Sequence, residues 1–166
     1  MFTTNENYTP DYNYERITDI TPAAIRRMGV KAIALDLDNT VLPYGSLTVD
    51  SKVVRCVKTM ESAGIRVAVV SNALAARTFI ISRQLGKIPF YPLSLKPRTY
   101  ALRFAAKKLN VSLNEIAMIG DKISTDVAAA NRAGSVAVKV EPIKEVPSFN
   151  ILIPRVIAAL SASIIK

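Results

Sequence analysis

Apolar and polar positions alternate in blocks along the chain, and the lengths of those blocks assign most of the elements. Runs at 31–36 (KAIALD), 65–70 (IRVAVV), 116–120 (IAMIG) and 135–140 (SVAVKV), with a weaker one at 88–92, are short and nearly continuous in apolar residues. That pattern suits strands buried on both faces of a parallel sheet. Between them lie helix-length stretches at 51–63, 73–85, 98–109 and 124–133, three of them closed by Gly64, Gly86 and Gly134; glycine is the usual occupant just past a helix end. Thr21-Pro22 is a helix start for a short segment over 23–28, with Gly29 as its stop. Strand and helix alternate throughout, which implies βαβ crossovers and an α/β class fold. The expectation is a three-layer α/β/α, Rossmann-like domain around a five-stranded parallel sheet. Residues 1–16 are polar and tyrosine-rich and read as an N-terminal arm, leaving 17–166 as the domain. No internal repeat is evident.

Composition narrows the function. The chain has 166 residues, 50% hydrophobic and 21% charged, enough for one domain with a real core and unlike a disordered chain. A formal net charge of +9 with no histidine points to anionic partners and removes every mechanism built on imidazole. Chemistry must then run on carboxylates, lysine and hydroxyls. The single cysteine, Cys56, lies in an apolar-patterned stretch and reads as a small core residue. The first residues do not resemble a signal peptide, so a cytoplasmic location is expected. The apolar stretch 151–165 is broken by Pro154 and Arg155 and is shorter than the roughly 20 residues that span a bilayer.

Candidate chemistry gathers where apolar runs end. The run at 31–36 leads into Asp36-Leu37-Asp38-Asn39-Thr40, which delivers paired carboxylates to a strand end; alternation puts Asp36 and Asp38 on one side. An isolated D-x-D triplet is common by chance, but the run at 116–120 ends in the same way, in Gly120-Asp121 and then Thr125-Asp126. Four carboxylates converging on one sheet edge need a compensating cation. With oxygen ligands only, magnesium fits best; no loop has the dense acidic spacing of a calcium hand. Ser71-Asn72 follows the run at 65–70 and offers hydroxyl, amide and backbone N–H groups to phosphoryl oxygens. Lys96-Pro97 follows the weak run, where a lysine can neutralise charge on a transferring phosphoryl group.

With these residues in order, the sequence resembles the haloacid dehalogenase (HAD) superfamily: Asp36-Leu-Asp38-Asn-Thr40 for D-x-D-x-T, then Ser71, then Lys96, then Gly120-Asp121 with Thr125-Asp126. The resemblance implies that Asp36 is the nucleophile, forming an aspartyl-phosphate. It also implies that Asp38 is the general acid and base, and that Thr40 orients the aspartates. Ser71, Asn72 and Lys96 would bind the phosphoryl group, and Asp36, Asp121 and Asp126 would hold Mg2+ together with the backbone carbonyl of Asp38. The second aspartate of D-x-D is the superfamily's phosphatase feature, absent from its dehalogenases.

Many members carry a cap domain. Here ten residues, 41–50, separate Thr40 from the next helix-length stretch, so no cap fits. The finer wording is similar to the YqeG-like group of subfamily IIIA, related to the mitochondrial phosphatidylglycerophosphate phosphatase. It rests on 17–20, 29–31, Pro43-Tyr44, Ser71-Asn72, Lys96-Pro97 and the stretch from Thr125-Asp126 to Gly134, although Lys122 replaces the glutamine of that group. An open mouth suits a phosphorylated substrate whose bulk stays outside, such as a lipid headgroup. Peripheral contact at the inner face of a membrane is one expectation, through Arg26, Arg27 and Lys31 with Arg155 and Lys166 flanking the apolar C-terminal stretch. The near-helical spacing of Val156, Ile157, Leu160 and Ile164 favours core packing for that stretch. The alternatives are a phosphatase of a soluble sugar phosphate, nucleotide or phosphoprotein, and, less favoured, a non-catalytic module; nucleic acid is not expected as a partner.

Overall fold

The structure is a computed structural model that describes residues 8–143. Its strands are β1 (Tyr12–Tyr14), β2 (Ala32–Leu35), β3 (Arg66–Val70), β4 (Phe90–Tyr91), β5 (Ile116–Gly120) and β6 (Val136–Val140), and they form one sheet in the order β1-β6-β5-β2-β3-β4. Every pairing is parallel. The helices are α1 (Pro22–Arg27), α2 (Ser51–Ser62), α3 (Ala75–Gln84), α4 (Tyr100–Lys108) and α5 (Ala128–Ala133).

The strands are buried on both faces because alternate side chains feed different cores. On β2, Ile33 and Leu35 join Val67, Val69, Ile25, Val57, Met60 and Ile81. Ala32 and Ala34 face the other way, toward Ala68, Leu102, Ala105, Ala106 and Ala130. The first face is built from branched side chains and takes α1, α2 and α3. The second is dominated by alanine, so α4 and α5 can lie close to the sheet.

Local chemistry sets the helix ends. Asp50 caps α2 by accepting from the Lys52 N–H at 2.7 Å, and Thr21 caps α1 by accepting from the Ala24 N–H at 3.1 Å. Along α2, Val53, Val57 and Met60 are buried at the spacing of one helix face.

Two expectations need correction. The sheet has six strands, not five, because part of the expected arm pairs with β6: Tyr12 stands opposite Val138 and Tyr14 opposite Val140. Asp11 fastens this edge twice, donating its N–H to the Ala137 carbonyl and accepting the Ala137 N–H on its carboxylate, both at 2.8 Å. The stretch 124–133 is not one α-helix either. It begins with a widened π-type turn, Ile123–Val127, before α5. The C-terminal stretch weighed for core or membrane contact, with Arg155 and Lys166, lies outside the described residues.

Strand order reverses direction at β2: β3 and β4 extend the sheet on one side, β5 and β6 on the other. Beyond the carboxyl ends of β2 and β5 the outgoing loops part, which is where open α/β sheets bind ligands.

Candidate active site

At that switch point β2 releases Asp36, whose N–H still bonds the Ile119 carbonyl of β5 at 2.9 Å. β5 releases Asp121 on the neighbouring side, and the π-type turn returns the chain so that Asp126 points back over the strand end. Gly120 makes this possible. A Cβ built there would lie 2.2 Å from Asp126 Cγ, so only glycine leaves room for the carboxylate. One oxygen each from Asp36, Asp121 and Asp126 lie within 4.8 Å of one another, and all three residues are buried.

Three carboxylates so close repel one another unless a cation intervenes. Lys96 supplies one positive charge from the loop after β4. Its ammonium lies 2.6 Å from Asp36 Oδ1 and 2.7 Å from Asp126 Oδ1 and donates to the Val70 carbonyl at 2.8 Å. The lysine side chain is 2% exposed, so it is a built part of the site and not a surface cation. Burial pushes the Asp36 carboxyl up to about 6, with the Lys96 charge pulling down and Asp126 pushing further up. Burial and then Asp126 also raise Asp121. Burial alone would lower the Lys96 ammonium, but Asp36 and Asp126 outweigh it and the net direction is upward.

One lysine does not neutralise three acids. Asp121 Oδ1 is buried with no hydrogen-bond partner, an arrangement that costs free energy unless another cation is bound. The donor set is oxygen only, which fits a hard divalent ion such as magnesium.

The other expected residues fall as follows. Asp38 does not join the cluster with its carboxylate. Arg77, on the first turn of α3, grips it through two nitrogens, at 2.9 and 2.7 Å, and the Gly45 N–H donates to it at 3.1 Å. Arg77 also donates to the Ser46 carbonyl at 3.0 Å, tying the loop after β2 to α3. Thr40 is buried, but its hydroxyl has no hydrogen-bond partner among the described residues, so it does not steer the aspartates by a hydrogen bond here. Ser71 is buried and its hydroxyl accepts from the Ala73 N–H at 3.1 Å. Asn72 accepts from the Lys96 N–H at 2.8 Å, so its amide latches the lysine loop.

Arg77 is the residue the sequence reading missed. A hint was available: an arginine in the first turn of a helix opposes the helix dipole and implies an acidic partner.

Comparisons agree with this geometry. A family model described as HAD-hydrolase-like matches residues 95–141. The Bacillus subtilis protein described as probable phosphatase YqeG is 31% identical over 142 residues, which cover 86% of this chain and 82% of that protein. Among solved structures, CbbY from Rhodobacter sphaeroides in complex with phosphate superposes with a TM-score of 0.53 at 14% identity, over 74% of this chain and 91% of that one. An uncharacterized protein from Listeria monocytogenes serotype 4b gives 0.53 at 17% identity, over 80% and 99%. At such identities the structures speak for the fold alone. The chain belongs to the haloacid dehalogenase superfamily, and within it to the YqeG-like group.

Proposed function

We propose that the chain is a magnesium-dependent phosphomonoester hydrolase that works through an aspartyl-phosphate on Asp36. The observation that carries this reading is the buried contact of Lys96 with both Asp36 and Asp126 beside the unpartnered Asp121 oxygen. A carboxylate is a weak nucleophile, and it attacks an anionic ester only where positive charge screens the approach.

In the first step a carboxylate oxygen of Asp36 forms a bond to phosphorus and the ester P–O bond breaks. The leaving alkoxide takes a proton from Asp38. In the second step Asp38 removes a proton from water, whose oxygen attacks phosphorus, and inorganic phosphate leaves with Asp36 restored. Lys96 balances the charge gathering on the phosphoryl oxygens, and the Ser71 region offers them hydroxyl and backbone N–H groups. Asn72 acts on this chemistry by holding the Lys96 backbone, and Arg77 by fixing Asp38. Asp36, Asp121 and Asp126, with the Asp38 carbonyl, would hold magnesium. When bound, the ion supplies Lewis-acid charge that weakens repulsion between nucleophile and phosphate.

The relative described as a probable phosphatase supports the reaction class. For the substrate we favour a lipid headgroup phosphate, phosphatidylglycerophosphate being the candidate, because 15 residues at most, 36–50, separate β2 from α2 and no cap covers the mouth among the described residues. A soluble phosphate ester is the alternative.

The test is a phosphate-release screen with and without magnesium that includes phosphatidylglycerophosphate in mixed micelles, run beside Asp36→Asn. Release is expected only with the ion and only from the wild type. Turnover persisting in Asp36→Asn refutes the nucleophile. Clear turnover of a soluble ester with none of the lipid moves the assignment to the alternative.

A further inference from the structure

Of the ten large hydrophobic side chains exposed among the described residues, Tyr12, Phe79, Ile80, Tyr100 and Phe104 lie on β1, α3 and α4, and the other five share one end of the molecule. Tyr44, Leu74, Leu93, Leu95 and Ile123 all stand in the loops that leave the carboxyl ends of β2, β3, β4 and β5, the same loops that carry Asp36, Ser71, Lys96 and Asp121. Leu74 is 70% exposed, Tyr44 61% and Leu95 53%. Single exposed hydrophobics are ordinary, whereas a group of them at one end of a molecule marks an interaction surface. The loops also touch: the Leu93 N–H donates to the Ala73 carbonyl at 3.0 Å, which brings Leu93 beside Leu74.

The backbone is shaped for this exposure. Leu93 and Leu95 adopt φ of 47° and 49°, a left-handed conformation that leucine resists and asparagine or glycine accepts. The result is an alternation in which Leu93 and Leu95 face out while Ser94 and Lys96 are buried. Nothing in the core requires leucine at either position.

Charge selects the partner. Apart from Asp50, which caps α2, every acid in these loops belongs to the site, while Arg98 and Lys122 are exposed among the hydrophobics. Apolar side chains interleaved with cations fit the boundary between headgroups and acyl chains in an anionic bilayer.

We propose that this rim is a membrane-docking face: the exposed leucines, with Tyr44 and Ile123, enter an anionic phospholipid surface while Arg98 and Lys122 meet lipid phosphates, with the mouth of the site turned toward the layer. Docking itself needs no catalytic step; only its use, presenting a headgroup phosphate to Asp36, rests on the phosphatase reading. The face differs from the one expected from sequence. Arg26, Arg27 and Lys31 precede β2 at the opposite edge of the sheet, where Lys31 pairs with Glu115 and Arg26 donates to the Ala63 carbonyl. A membrane there would meet the wrong pole.

The full chain is floated with vesicles of phosphatidylcholine alone and of phosphatidylcholine mixed with phosphatidylglycerol. Binding is expected to the mixed vesicles only. The double variant Leu74→Ser with Leu93→Asn weakens it about tenfold or more, because two apolar side chains leave the interface. Its melting temperature holds or rises, since asparagine tolerates the left-handed backbone, and its hydrolysis of p-nitrophenyl phosphate is unchanged. Arg27→Gln with Lys31→Gln binds like the wild type. The proposal is overturned if the wild type ignores mixed vesicles, or if the rim variant binds them as well as the wild type does. It is equally overturned if light scattering shows the rim variant dissolving a dimer while vesicles have no effect, which would make the rim a contact between copies. Asp36→Asn separates the two readings: it keeps vesicle binding, so loss of turnover in a variant that still docks tests the nucleophile, and docking that fails beside intact turnover sinks only the membrane face.

Discussion

Arg77 and Asp38 show how much of a site is decided by a contact no motif spells out. The carboxylate is held by two guanidinium nitrogens and a backbone N–H, so its position depends on a residue from another element. Arg77→Ala is expected to lower kcat by about tenfold to a hundredfold with KM little changed, because a released acid spends less time in reach of the leaving oxygen. Arg77→Lys restores part of the loss. If kcat holds while only thermal stability falls, the arginine is structural. Cys56 gives a pH-dependent prediction. Burial, with Asp19 adding to it, raises its thiol above the ordinary cysteine range, so less reactive thiolate is present at pH 8 than on an open cysteine. Alkylation of the folded chain should be slower than that of a denatured one at pH 8 and should still be rising with pH where the denatured chain has levelled off; a plateau at the same pH or lower contradicts it. At this scale Asp36, Asp121 and Lys96 were readable in sequence because each closely follows an apolar run, and Asp126 because it stands a few residues beyond Asp121. Arg77 was not, since its partner lies 39 residues away and no spacing links them.

Elements were legible where the interior dictates them and illegible where it does not. The runs at 31–36, 65–70, 116–120 and 135–140 fold as strands because both faces are buried, and their apolar content records it. β1 carries no such record. Tyr12 and Asn13 are exposed, and the strand exists through backbone pairing with β6, which almost any sequence can make, and through the Asp11 carboxylate that accepts the Ala137 N–H. Removing residues 1–15 strips that pairing and leaves an open edge on β6. The expected outcome is a loss of about 2 kcal/mol or more, from several lost hydrogen bonds, with association at high concentration; thermal melting and light scattering check both. The π-type turn was hidden for another reason. Its Ile-Ser-Thr-Asp-Val sequence is compatible with a helix, and the widening answers to Asp126 crossing over Gly120, a tertiary demand that residue spacing alone does not announce.

For the molecule as a whole, strand order is what assembles the chemistry. β2 and β5 are adjacent, so acids from distant parts of the sequence share one edge, and their mutual repulsion makes the fold a reservoir of unused affinity for a cation. Magnesium at about a hundred times its Kd should therefore stabilise the wild type by about 2.7 kcal/mol. Asp121→Asn is expected to melt no lower than the wild type without the ion and to lose most of the shift with it. Equal shifts in both proteins would remove Asp121 from the metal set. No helix among the described residues is long and apolar enough to cross a membrane.

The buried contact of Lys96 with Asp36 and Asp126 also orders events during synthesis. A chain emerging from the ribosome exposes Asp36 long before Lys96, and Asp126 last of all. Until β5 inserts beside β2, Asp36 can meet the Lys96 ammonium but neither Asp121 nor Asp126, and a central position of the sheet is empty. On the phosphatase reading, an N-terminal fragment ending before residue 126 is expected to be inactive in a phosphate-release assay, because the last acid closes onto a lysine already in place.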